Sequence, residues 1–352
     1  MIKNYLVIGS IAFICRAAIL LGRNKLPRER WQFFASIPVS KAEEGSWQAV
    51  NITWYGLLLS TSTIFAVVVY LIMLGAVGVP VDAGMSLVAL LLLICVPAAS
   101  LVARIVERKP ATLTVGGAAF VGAIAAPFLI LLLNRFAGPL FGAEIPMGQA
   151  LAACAVSFLF GEGMGRLACL SYGCCYGKPV DEYRGILKKI FTWSAVVFEG
   201  KNKKIAYAAG LDGHKIIPIQ LITMLASSFA GVVTLVLFTE GKPLLAYLVA
   251  TLFAGFWRIF SEFFRNDYRG RGEISAYQLM SVFSVIFALG VSLYLKGNTP
   301  LPAVDLLRGV LSLWSPGILV VLFVTWLGLV CFTGISNTSY SRISFHLHRD
   351  RI

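Results

Sequence analysis

The chain has 352 residues, of which 58% are hydrophobic and only 13% charged, with a mean hydropathy of +0.81. Soluble domains carry roughly 25% charged residues, so a water-soluble enzyme, a disordered tail and a disulfide scaffold are all excluded. The net charge of +13, from 30 Lys and Arg against 17 Asp and Glu, is in so apolar a chain a topology signal before it is a hint of nucleic acid.

A membrane-crossing helix needs about 20 mostly apolar residues. In chain order, such runs lie near 4–22, 55–78, 86–103, 114–134, 145–163, 216–238, 244–264, 277–296 and 312–336. Arg16 interrupts the first, which reads as a signal-anchor or surface helix. The runs are too long and unalternating for barrel strands. The expected fold is therefore an all-α polytopic membrane protein, a bundle of about eight or nine transmembrane helices. The longest polar stretch, 164–215, is expected to form a small, partly β lobe on one membrane face. Within it, 192–198 and 204–208 read as strands around a turn at Glu199–Asn202, and Asp212-Gly213 as a second turn.

Segments 23–50, 104–112, 164–215, 258–275 and 337–352 hold 24 of the 30 Lys and Arg. They alternate with sparsely charged connections holding Arg135, Lys242, Lys296 and Arg308. By the positive-inside rule, loop 164–215 and the C-terminus face the cytoplasm. The two histidines of the tail, His346 and His348, read as part of a basic tail near anionic lipid rather than as metal ligands.

Ionisable residues in or beside a spanning helix are costly and mark function by default. In Phe256–Asp267, helical spacing puts Arg258, Glu262 and Arg265 on one face. Two guanidiniums flanking one carboxylate suit a phosphate, although an ion-pair ladder between helices would use the same pattern. A second cluster runs from Gly161 to Pro179, a glycine-rich helix end entering a tight turn, with Arg166 and Lys178 near Cys169, Cys174 and Cys175. The spacing Cys-x4-Cys-Cys is not a standard zinc pattern, and no metal or cofactor is expected from it. Packing of small residues around the turn and an activated thiolate both remain open. Cys15, Cys95, Cys154 and Cys331 lie in apolar runs and read as filler. Trp54-Tyr55-Gly56 opens the second run, where Trp and Tyr usually anchor at the interface.

Taken in order, these segments resemble the prolipoprotein diacylglyceryl transferase family. Ile52–Leu57 is similar to its opening segment, which carries a functional Tyr, here Tyr55. Gly116–Ala123 resembles its Gly-Gly-x-x-Phe-His-Gly-Gly segment, Gly165–Gly177 its long central motif, and Ile217–Leu221, with Gln220, its His-Pro-Ser/Thr-Gln-Leu segment. Arg258, Glu262 and Arg265 match its Arg-x3-Glu-x2-Arg, and Gln278 opens the last family helix. The likeness runs from about 50 to 296, which implies a family core over 51–296, with an extra helix and basic linker before it at 1–50 and an extra helix and basic tail after it at 297–352. The resemblance implies a bacterial inner-membrane enzyme that moves a diacylglyceryl group from phosphatidylglycerol, or a similar anionic phospholipid, to a lipoprotein cysteine, with no nucleic acid involved. Arg166, Arg258 and Arg265 would hold the lipid phosphate, Glu262 would orient them, and Tyr55, Gly177, Gln220 and Gln278 would line the substrate site. The chain departs from the pattern where Val121 replaces the family His, Cys169 an Asn, Cys174 a Glu, and Ile217 a His. Val121 cannot be a general base, which leaves Cys169 or Cys174 to handle the acceptor and raises the alternative of a catalytically inactive lipid-binding protein. The family's central loop faces away from the cytoplasm, opposite to the charge count here.

Overall fold

The computed structural model describes residues 2–42, 45–108, 114–267, 274–297 and 303–351. Lys109, Arg269 and Arg271, counted above among the basic loop residues, lie outside them. In chain order the elements are α1 (Ile2–Lys25), β1 (Phe33–Lys41), β2 (Ser46–Thr53), α2 (Trp54–Ala76), α3 (Val81–Glu107), α4 (Val115–Phe136) and the short α5 (Gly138–Phe141). Then come α6 (Met147–Tyr172), α7 (Gly185–Ser194), β3 (Val196–Val197), α8 (Lys204–Ala209), β4 (Lys215–Ile216), α9 (Ile219–Thr239) and α10 (Pro243–Glu262). The chain finishes with α11 (Ala276–Leu295), α12 (Leu306–Ser312), α13 (Pro316–Gly334) and β5 (Ile335–Ser344).

Nine helices among the described residues, α1 to α4, α6, α9, α10, α11 and α13, are long and apolar enough to cross a membrane. The protein is a polytopic membrane bundle, as its hydropathy requires. Large apolar side chains such as Phe13, Phe283 and Phe323 point outward, as lipid-facing positions do. The first run is one continuous helix of 24 residues packed on α9, with Arg16 on its exposed side.

The centre of the bundle is α6, which packs against α2, α9 and α10. Small residues make that possible: Ala150, Ala152 and Ala153 are fully buried, and a Cβ at Gly163 would press on Ser228 and the Met224 carbonyl. At the start of α2, Thr53 caps the Gly56 amide and donates its hydroxyl to the Gly334 carbonyl. There Gly56 meets Gly334 of α13 so closely that a Cβ on Gly56 would overlap the α13 backbone.

The lobe departs from the sequence reading in three ways. Residues 204–208 belong to a helix, α8, and 185–194 to another, α7; only Val196–Val197 of the expected first strand is extended. Its partner is β4, beyond the Asp212-Gly213 turn. Ala206 and Tyr207 amides bond back to Lys203, which starts a helix where alternation alone suggested a strand. Second, α6 continues to Tyr172, so the glycines at 161–165 lie inside a helix. Third, the extra segments at both ends meet. β1, β2 and β5 form an antiparallel sheet in the order β1-β2-β5, and Ser36 and Ser341 both donate to Asn51 Oδ1 at 2.6 Å.

One of the basic residues used to orient the loop serves the fold instead. Lys203 is fully buried, and its Nζ donates to the carbonyls of Ser171 at 2.6 Å and Leu26 at 3.3 Å, tying the lobe to the ends of α6 and α1. Burial pushes its ammonium down to about 8, against the pull of Glu29 and Glu199. The unfolded chain therefore binds more protons than the folded one above pH 8, and this residue's contribution to stability rises with pH until the ordinary lysine value is reached. Between pH 8 and 10.5 it should add about 3 kcal/mol. Thermal unfolding of purified protein should show this gain, and Lys203→Met should remove it; parallel pH profiles for the two proteins would contradict the assignment.

Candidate active site

The alternation of the helices brings the N-terminal ends of α2, α4 and α11 together with the C-terminal ends of α6 and α10. That juxtaposition gathers Tyr55, Gly116, Arg166, Cys169, Arg258 and Met280 around one cavity of about 460 Å³. From this polar end the cavity runs toward mid-bundle, between residues such as Leu91, Ala126, Leu151 and Ala250. A charged mouth on an apolar shaft is the shape of an amphiphile.

Arg166 Nη2 pairs with Glu162 Oε1 one turn earlier on α6, at 2.7 Å. Arg258 is buried on α10, and its Nη2 stands 3.6 Å from Glu262 Oε1, an ion pair without a hydrogen bond. The Arg258 guanidinium also lies over the Tyr277 ring, 5.2 Å from its centroid, and Tyr277 donates its hydroxyl to Glu107 at 2.9 Å. Glu262 Oε2 accepts from the Ser275 hydroxyl at 2.6 Å. Arg258 Nε and Nη2 and Arg166 Nε are buried and have no hydrogen-bond partner among the described residues. Leaving a buried donor unmade costs about 1–3 kcal/mol, and more when it is charged. Both arginines also line the cavity, so an anion held there would sit beside two guanidiniums with donors to spare.

Arg265 is placed differently from the expectation. The helix ends at Glu262, so Arg265 does not share a helical face with Arg258 and Glu262. Its backbone bridges Gly177, and its guanidinium grips Asp267 through Nε at 2.8 Å and Nη2 at 2.9 Å. Glu262 therefore orients Arg258 alone. Glu162 and Asp267 hold the other two arginines, and sequence spacing missed both. Glu162 was legible as the i−4 partner of Arg166; Asp267, two residues from Arg265 in irregular backbone, carried no such signal.

Gln220 and Gln278 are also structural in their contacts. Gln220 is buried and its Nε2 donates to the Cys174 carbonyl at 2.9 Å. Gln278 closes a capping box with Ser275, accepting from the Ser275 amide at 2.9 Å. It thereby steadies the serine that holds Glu262. Gly177 passes so close to Ile217 that a Cβ would collide with the Ile217 carbonyl. Tyr55 faces the cavity with its ring edge against Tyr172, whose hydroxyl meets that of Tyr207 at 2.9 Å. Val121 is half-buried on α4 between the cavity-lining Phe120 and Gly122.

The three cysteines are brought together by the end of α6. Gly173, at φ 73°, terminates the helix, and the amides of Gly173 and Cys174 both return to the Cys169 carbonyl. The turn stacks the three Sγ atoms within 4.8 Å of one another, with Cys169 and Cys175 3.7 Å apart. Hydrogen bonds from the Cys169 and Cys174 thiols, helped by Arg265 and Arg166, hold the Cys175 thiol well below its ordinary value despite burial. The same partnership pushes Cys174 up.

Fold and site together define a multi-pass membrane protein of the lipid-modifying class, with paired arginines at the mouth of an apolar cavity. A family model described as prolipoprotein diacylglyceryl transferase matches residues 46–294, and the chain belongs to that family. No curated protein matches it.

Proposed function

We propose that the protein is a phospholipid-dependent transferase that moves a diacylglyceryl group from phosphatidylglycerol, or a similar anionic glycerolipid, to a thiol acceptor. The observation that carries this is the pair of guanidiniums, Arg166 and Arg258, on the wall of one largely apolar cavity, each with an N–H unpartnered among the described residues. A phosphate accepts from both guanidiniums, and the acyl chains would follow the apolar shaft. As glycerol phosphate departs, negative charge grows on its leaving oxygen, where fixed guanidiniums stabilise it. Tyr55 lies at the headgroup level, and Arg265, held by Asp267 and within electrostatic reach of Cys175, adds positive field. The acceptor would be a lipoprotein cysteine. Purified protein with phosphatidylglycerol and a cysteine-bearing lipoprotein peptide should release glycerol phosphate; no release with thiol, hydroxyl or amine acceptors would remove the enzymatic assignment.

Val121 favours a second reading, a lipid carrier without turnover, because the position of the family's His bears no proton-transferring group. Family membership supports a bacterial inner membrane, and the concentration of Lys and Arg in alternate loops supports a site end toward the cytoplasm, opposite to the family's central loop. A cysteine placed at Asn202 should resist an impermeant thiol reagent on intact cells; labelling would reverse the orientation.

A further inference from the structure

Resting on the transferase reading above, we propose that Cys169, Cys174 and Cys175 form a three-thiolate site for a zinc-type divalent ion, whose open fourth position binds and activates the acceptor thiol. The geometry is that of a ligand set. Zinc–sulfur bonds of about 2.3 Å around a tetrahedral ion place neighbouring sulfurs about 3.8 Å apart. The Cys169 and Cys175 sulfurs are 3.7 Å apart, and all three lie within 4.8 Å, with no disulfide among them. The linear spacing hides this because the chain reverses at Gly173 and delivers Cys174 and Cys175 back onto the last turn of α6.

The backbone points the same way. Cys175 has φ 56°, a left-handed conformation that a glycine would hold without strain. A side chain there costs about 1–2 kcal/mol, so packing around a tight turn does not explain a cysteine at that position, whereas a required thiolate does. Charge also balances. Three thiolates and a divalent ion leave one net negative charge, and the guanidiniums of Arg166 and Arg265 lie within electrostatic reach of Cys169 and Cys175. Gln220, through its bond to the Cys174 carbonyl, holds the turn from the α9 side. Cys169 itself lines the lipid cavity beside Arg166 and Tyr55, which sets the thiol cluster at the cavity wall.

Such a site supplies what Val121 cannot. An acceptor thiol bound to the ion gives up its proton and becomes a thiolate at neutral pH. Its sulfur attacks the glyceryl carbon that carries the phosphate ester oxygen. A C–S bond forms, the C–O bond breaks, and glycerol phosphate leaves with the bonding pair; the proton released by the thiol balances the products. No electron transfer is involved.

Full-length protein should be loaded with zinc under reducing conditions, freed of excess metal and assayed for metal content. About one ion per chain is expected, falling at least tenfold when Cys169, Cys174 and Cys175 are all changed to serine, and unchanged in Cys331→Ser. Because the triple variant can fail to fold, cobalt(II) is used on the unaltered protein as a second measurement. It should give sulfur-to-metal charge-transfer bands that shift when the cysteine peptide, but not its serine counterpart, is added. Absence of zinc, retention of zinc in a folded triple variant, or cobalt bands indifferent to the peptide would each overturn the proposal. Stoichiometric zinc and a thiol-responsive cobalt spectrum without glycerol phosphate release would leave the metal site standing and discard the transferase.

Discussion

Arg258→Ala should lower glycerol phosphate release by about 10²–10³-fold while the bundle stays assembled. The loss is large because Arg258 brings to the cavity wall a guanidinium with two N–H groups that nothing among the described residues satisfies. The fold should survive because Glu262, the partner left behind, keeps its bond from Ser275, and Ser275 remains capped by Gln278. Arg258→Lys should rescue little: an ammonium cannot present a planar pair of donors or lie over the Tyr277 ring as a guanidinium does. Initial rates, with gel filtration of each variant as the control for assembly, decide the matter. Full activity in Arg258→Ala would remove this residue from the mechanism.

Gly177→Ala should be nearly as damaging through a different route. The strand-like segment at 176–178 is clamped between two others: Asn266 bonds to Tyr176, Lys178 to Phe264, and Ile217 to Lys178. A Cβ at 177 would strike the Ile217 carbonyl, which is backbone and cannot rotate away. The segment must shift toward 264–266, carrying Arg265 and its Asp267 partner with it. Overpacking of this kind costs about 1–3 kcal/mol, and a misplacement of about 1 Å near the chemistry costs about 10²-fold in rate. Turnover should fall together with thermal stability; a variant with normal values of both would show that the clamp is looser than its geometry.

The bundle was legible from hydropathy alone because a span of about 20 apolar residues has few other uses. The nine membrane-length helices among the described residues fall within a few residues of the runs read from the chain, except that α6 extends nine residues farther, through Arg166 and Cys169. Glycines at 161, 163 and 165 masked that extension, since glycine weakens helices in water but packs them closely in membranes. The sheet was not legible. β1, β2 and β5 join segments almost three hundred residues apart, and polar strands outside the bundle lack a strong alternating signal. Of the site, Arg166, Arg258 and Glu262 could be picked out because ionisable residues are scarce in so apolar a chain, and Tyr55 through the family resemblance. Arg265 was assigned to a helical face that ends three residues too early. The carboxylate partners and the thiol cluster arise from turns, and a turn places side chains by backbone angles that residue spacing does not encode.

In the transferase reading, the arginine-rimmed cavity holds a phospholipid for transfer and not merely for storage. Lipid-resolved mass spectrometry of the purified protein, incubated with phosphatidylglycerol and a cysteine-bearing lipoprotein peptide, tests this most directly. The expected product is a peptide heavier by one diacylglyceryl group, joined by a thioether, with an equal amount of glycerol phosphate. Intact phosphatidylglycerol retained by the protein beside an unmodified peptide would contradict it.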